Sequence, residues 1–425
     1  MERPSFYWGI GIENCWMAEH DEENRSPKRL LDVFLQMQHY TMWREDLDRA
    51  AALGVNALRY SVPWYRANPR PGVYDWSWIA QPLEYLGRLG IIPIIDLIHY
   101  GTPLWMENGV LNHEFPERFA EYASAFARRF RGLVDHYTPH NEPQVSAVFG
   151  GLSAYWPPYL RGVDGWLKVG LNVADGMTAT AQALRAELPS AVLVSAECLM
   201  APATARVEEA LRISVTPQER ADLEYQVLSF PSSLAYGKVK PASALGRALM
   251  RAGVAEDRLE RFLQGLAAPD IIGHNYYPGS FAGPEDAMEP GLGRGRSDLA
   301  ERLRQAHAFF QRPLYLTETS TGFSADQKAD WMRAAASVLA ELRSGGMPIV
   351  GMNWWPLFET IQWDYRDNSK TVAECIRRGG WNNGLYLIEE KPDGTLERQK
   401  TAAADAYRQL ISAGPPGGRA PGAGR

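Results

Sequence analysis

Eight short β-rich apolar runs recur along the chain between longer segments of helical period, and this alternation limits the possible folds more than any other feature. The runs are FYWGIGI (6–12), NALRYSV (56–62), IIPIIDLI (91–98), LVDHYTP (133–139), AVLVSAE (191–197), DIIGHNYY (270–277), PLYLTET (313–319) and PIVGMNWW (348–355). Between them lie segments such as REDLDRAAALG (44–54), FPERFAEYASAFARRFRG (115–132) and DQKADWMRAAASVLAELRSGG (326–346). Apolar residues three and four apart in these segments suit helices packed on a sheet. Strand followed by helix throughout a chain implies a parallel α/β fold, and eight repeats fit a closed (β/α)8 TIM barrel better than an open doubly wound sheet. No GxGxxG follows the first run, which weakens a dinucleotide-binding alternative.

The expected organisation is one barrel domain over residues 1–412 with extended βα loops, and no internal linker divides it. Residues 278–300, rich in Gly and Pro, are expected to form a long loop after the sixth strand, and residues 413–425 a disordered Gly/Pro tail. A net charge of -6 gives no basic footprint for nucleic acid. No apolar stretch is long enough for a membrane span, and the opening MERPSFYWGIGIENC lacks the basic start and long apolar run of a secretory signal. Cys15, Cys198 and Cys375 are far apart and form no metal-binding spacing. A cytoplasmic protein without metal or organic cofactor is expected.

In such a barrel the active site forms where strands end, so polar residues at those ends are the ones to inspect. They are Arg59 after the second strand, His99 after the third, His140-Asn141-Glu142-Pro143 after the fourth, Asn275-Tyr276-Tyr277 after the sixth, Glu318 after the seventh, and Trp354 and Trp355 after the eighth. A lone Glu at a strand end is ordinarily a salt bridge or a cap. Two of them facing one pocket suit acetal hydrolysis, which needs a proton for the leaving oxygen and an anion or activated water at the anomeric carbon. GxSxG, HExxH and GxxxxGK[ST] are all missing, so serine-hydrolase, zincin and P-loop readings have no local support.

TPHNEP (138–143) resembles the TLNEP acid/base motif, and LTET (316–319) the ITEN nucleophile motif, of family 1 glycoside hydrolases. FYWG (6–9), EDLDRAAALGVNALRYSVPW (45–64), NYY (275–277), WWPLFETIQW (354–363) and GLYLIEEKPDGTLERQKTAAADAY (384–407) look like further landmarks of that family in its order. The resemblance implies a retaining, exo-acting β-glycosidase of the β-glucosidase kind. Glu142 would be the acid/base and Glu318 the nucleophile, with Arg59 and Tyr277 holding the nucleophile ionised and oriented. It also implies sugar contacts from His99, Asn141, Asn275 and Trp355, and a small glycoside or oligosaccharide as partner.

Three positions depart from the family pattern. Seven residues past Gly9, where the family has a sugar-binding Gln, stands Trp16, with Glu13 and Asn14 as possible substitutes. His99-Tyr100 replaces His-Trp, and Gln362, followed by Trp363, replaces a Glu that grasps the 4- and 6-hydroxyls. Trp16, Gln362 and Trp363 therefore complete the expected sugar-binding set, with a glycone other than plain glucose in view. A retaining transglycosidase and a catalytically silent carbohydrate-binding barrel are the alternative functions. Retention of both Glu142 and Glu318 speaks against the silent barrel, because two close carboxylates repel one another at a cost.

Overall fold

Each of the eight runs forms a parallel strand: β1 (Tyr7–Ile12), β2 (Ala57–Ser61), β3 (Ile92–Ile98), β4 (His136–His140), β5 (Val192–Leu193), β6 (Ile272–Tyr276), β7 (Leu314–Thr319) and β8 (Ile349–Trp354). The computed structural model describes residues 3–20, 27–198, 204–278, 292–321, 324–359 and 383–417. Neighbours in the sheet run β5-β4-β3-β2-β1-β8-β7-β6. Beyond the short β5, isolated parallel bridges pair Val194 with Ile271 and Glu197 with His274. These join the two outer strands, and the sheet closes into a (β/α)8 barrel.

Strands buried on both faces explain the nearly continuous apolar runs. Tyr7, Ala57, Ile92, Ile94, Val192, Val194, Ile271 and Tyr315 fill the inside of the barrel as a small core of their own. The larger core lies between sheet and helices. In the helix Phe115–Arg129, Phe115, Phe119, Tyr122, Ala123 and Phe126 are buried, a spacing of three and four that sets one stripe against the sheet. Pro116 stands at its first turn, where a missing N–H costs nothing.

Of the loop expected over 278–300, residues 279–291 lie outside the described residues, and residues from Leu292 to Phe310 are helical rather than loop. Gly295 is there for packing rather than for a turn: a β-carbon on it would stand 3.1 Å from the Trp331 ring and 3.2 Å from Pro278. Two antiparallel ribbons also escaped the sequence reading. One pairs Trp16–His20 with Pro27–Asp32 directly after β1. The other pairs Tyr386–Glu390 with Leu396–Lys400 around a Pro-Asp-Gly turn in which Gly394 has φ +80°. Among the described residues no helix is long and apolar enough to cross a membrane. Residues 418–425 of the expected tail lie outside the described residues.

Candidate active site

Inward positions near the start of the strands are apolar, and two residues further along they become charged. Arg59 follows Ala57 in this way on β2, and Asp96 follows Ile94 on β3. Arg59 is wholly buried and is the hub of the site. Its Nη2 donates to both Asp96 oxygens, at 3.0 and 2.8 Å, and to Asn141 Oδ1 at 2.9 Å. Its Nη1 donates to Glu318 Oε1 and to the Thr317 carbonyl at 3.3 Å, and lies 3.4 Å from Glu13 Oε1. One cation thus faces three buried carboxylates.

A β-bulge aims Glu318 at this hub. Leu316 pairs with His274, yet Glu318 pairs with the very next residue, Asn275, so β7 carries one extra residue. The partner on the other side shows the same insertion, with Leu316 opposite Met352 and Thr319 opposite Trp354. An extra residue lets two successive side chains face the same side. Thr317 Oγ1 accordingly donates to Asn275 Oδ1 at 2.8 Å, while Glu318 reaches Arg59 and accepts from the Tyr277 hydroxyl at 2.5 Å. Burial, then the Glu318 charge, push the Tyr277 phenol well up, so it remains a donor.

Glu142 follows β4 with a left-handed backbone, φ 44°, and its amide donates to the Ala196 carbonyl at 2.9 Å. Asn275 Nδ2 donates to Glu142 Oε1 at 2.8 Å, and the Tyr100 hydroxyl donates to Oε2. Burial, and then the neighbouring Glu318 charge, push the Glu142 carboxyl up to about 7 against those two hydrogen bonds and Arg59. Asp96 goes the other way: burial disfavours its charge, but Arg59 and His99 outweigh burial and hold it below the ordinary carboxylate range. The two strand-end glutamates therefore belong to one buried polar cluster in different surroundings, one beside a guanidinium and the other proton-retaining.

Of the other residues singled out in the sequence, His99 lies 3.3 Å from Asp96 Oδ2 and 3.4 Å from Asn141 Nδ2. Trp355 stands after β8 with its ring edge-on to Tyr277, centroids 5.9 Å apart. His99 and Trp355 line a cavity together with Glu13, Cys15, Phe34 and Glu359. Trp16 is not brought into this cluster: its ring stacks on Tyr65, centroids 3.4 Å apart, and its indole N–H is used by the Thr102 carbonyl at 3.1 Å. Gln362 and Trp363 lie outside the described residues. Of the possible substitutes, Asn14 is occupied by the Phe34 amide and by Tyr40. Glu13 faces the cavity, and burial, reinforced by Glu318 and Asp96 against Arg59, pushes its carboxyl well above the ordinary range.

Gly101 is what admits Trp16. A β-carbon there would fall 1.9 Å from Trp16 Cδ1 and 2.2 Å from the Trp16 carbonyl oxygen. Gly101→Ala should therefore displace the ribbon that starts at Trp16 and cost roughly 1–3 kcal/mol, the range for overpacking a filled interior. Thermal melting measures this, and a variant melting with the wild type would mean that the ribbon yields freely.

A sequence profile described as Glycosyl hydrolase family 1 matches residues 17–226. Over that stretch the chain is similar to this family. Among its relatives, Beta-glucosidase 44 of Arabidopsis thaliana is 32% identical over 27% of this chain and 24% of its own length. Beta-glucosidase A of Thermotoga maritima is 30% identical over 29% of each chain. The matched stretches thus span about a quarter of the length of these curated relatives. The fold likeness runs much further: the family 1 b-glucosidase structure from Thermotoga maritima superposes with a TM-score of 0.75 at 18% identity, covering 96% of this chain and 97% of that one. Its complex with glucoimidazole gives 0.74 at 18% identity, covering 96% and 98%. The profile match ends at 226, before β6 and β7, so the surroundings of Glu318 are known from geometry alone.

Proposed function

We propose that this chain is a family 1 retaining, exo-acting β-glycosidase of the β-glucosidase kind, working through a covalent glycosyl-enzyme. The observation that carries this reading is the unequal pair of buried carboxylates, Glu142 near pH 7 and Glu318 held by Arg59 and Tyr277. Glu142 gives its proton to the leaving oxygen while Glu318 attacks the anomeric carbon. Glu142, now ionised, then takes a proton from the water that releases the sugar. Asn275 donates to Glu142, Asn141 accepts from the Arg59 that also holds Glu318, and His99 and Trp355 border the cavity in which the glycone rests. The β-glucosidase names of the relatives support the substrate class. A small glycoside or oligosaccharide is the partner. A reduced, cytoplasmic setting suits the buried side chains of Cys15 and Cys198.

Trp16 withdrawn onto Tyr65 and Glu13 turned to the cavity make the non-reducing end of the pocket unlike a plain glucose site. The glycone is accordingly one whose outer hydroxyls differ from those of glucose. A panel of chromogenic aryl β-glycosides tests both statements, with the first-formed sugar followed by NMR. A β-anomer should appear first, and kcat/KM should fall as pH rises through about 7, because Glu142 must carry a proton in the free enzyme. An α-anomer appearing first, or no turnover of any member, would remove the reading.

A further inference from the structure

Tyr100 follows His99 beyond β3 with φ +79°. A bulky side chain holds that conformation only where its surroundings impose it. Its ring is wedged against His99 and Trp156, each with centroids 4.8 Å away. Its hydroxyl accepts from Asn141 Nδ2 at 3.1 Å and donates to Glu142 Oε2.

The direction of these bonds is fixed from the far end. Arg59 can only donate, so the Asn141 oxygen must face it, at 2.9 Å. The Asn141 amide nitrogen then faces Tyr100 and offers nothing but hydrogens. A phenol has a single O–H, and with Asn141 as donor that hydrogen is committed to Glu142. A Trp at this position would lack the acceptor that the chain of bonds passes through.

We propose that Tyr100 is a positioning residue for the acid/base, ending a hydrogen-bond chain from Arg59 through Asn141 that grips Glu142 by Oε2 and favours its ionised form. The proposal rests on the acid/base role given to Glu142 above. Groups facing Glu142 from all sides are Glu318 on β7, Arg59 on β2, Asn275 and Tyr277 at the end of β6, Tyr100, and the Cys198 thiol beyond β5. Burial and Glu318 make Glu142 hold its proton. Tyr100 opposes them, so that the carboxyl can give up its proton to the leaving oxygen and then stand ionised as base toward water.

Tyr100→Phe keeps the ring and removes the hydroxyl. Its basic limb in the kcat/KM profile, measured with the best aryl β-glycoside of the panel, should move to higher pH by about one unit. Incorporating 3-fluorotyrosine at 100 strengthens the donor, disturbs packing little, and should move the limb to lower pH. In the Glu142→Ala background, Tyr100→Phe should leave azide-rescued turnover unchanged, because the group it acts through is gone. A limb that stays put in both position-100 variants would overturn the proposal. A limb that persists after Glu142→Gln would instead remove the acid/base reading itself, so the two failures are told apart.

Discussion

Glu318→Ala should lose activity on every substrate, by on the order of 10⁴–10⁶-fold in kcat, whatever the leaving group. Without the carboxylate that Arg59 and Tyr277 hold in place, no glycosyl-enzyme can form. Glu142→Ala removes only proton delivery and water activation. An activated aryl leaving group needs little protonation, so its first step survives and an intermediate on Glu318 accumulates. Azide needs no general base: in Glu142→Ala it attacks the glycosyl-enzyme from the face opposite Glu318, and in Glu318→Ala it enters on the face that the carboxylate left. It should rescue Glu142→Ala to a β-glycosyl azide and Glu318→Ala, if either anomer forms, to the α product. Intact mass spectrometry reads the trapped enzyme and NMR the anomer. The same anomer from both variants would show that the roles are misassigned.

Arg59→Met should be the most destabilising single change at the site. It leaves Asp96, Glu318 and Glu13 buried around an apolar side chain in place of their shared cation. Breaking a buried ion pair from one side costs roughly 3–5 kcal/mol. The sign of the pH dependence follows from Asp96. In the wild type its folded-state proton affinity is depressed, and it adds stability above its unfolded value that is lost as pH falls. Without Arg59, burial prevails and the folded value rises above the unfolded one. The stabilisation is then complete at acid pH and disappears as pH rises. The gap in melting temperature between wild type and variant should therefore widen from pH 5 to pH 8. Activity should fall by about 10²–10³-fold as the oriented charge at the nucleophile is lost. A gap that is constant with pH would mean that the cluster carries no net charge after the substitution.

The eight strands were legible because both faces of each are buried, which leaves a dense apolar run that spacing alone can locate. Arg59, Asn141, Glu142, Asn275, Tyr277 and Glu318 were legible as polar residues at strand ends, and the structure brings all six together. Asp96, inside the run IIPIIDLI (91–98), was not singled out, although a charge at an inward position of a buried strand signals a partner in the barrel. Tyr100 was noticed as a departure, but its bond to Glu142 depends on a left-handed backbone that no local pattern announces. Trp16 was placed among the sugar contacts by counting from Gly9, and counting cannot reveal that Tyr65 offers its ring a stacking partner. The helix from Leu292 was hidden by Gly293 and Gly295, residues read as punctuation where one of them is a space for Trp331.

The two-residue β5 bears on how this protein wears out. A wall held by one short ladder, two lone bridges and a few further main-chain hydrogen bonds is expected to open locally before the whole chain unfolds. The Glu142 amide hangs on the Ala196 carbonyl, and the Asn275 amide on that of Glu197, so each opening loosens the proton donor and its clamp. Glu318 belongs to β7, paired on both sides, and stays in place. On the roles proposed for Glu142 and Glu318, heat should therefore harm the two halves of turnover unequally. An ageing sample should pass through a stage in which it still captures activated glycosides covalently but has lost the means to let them go.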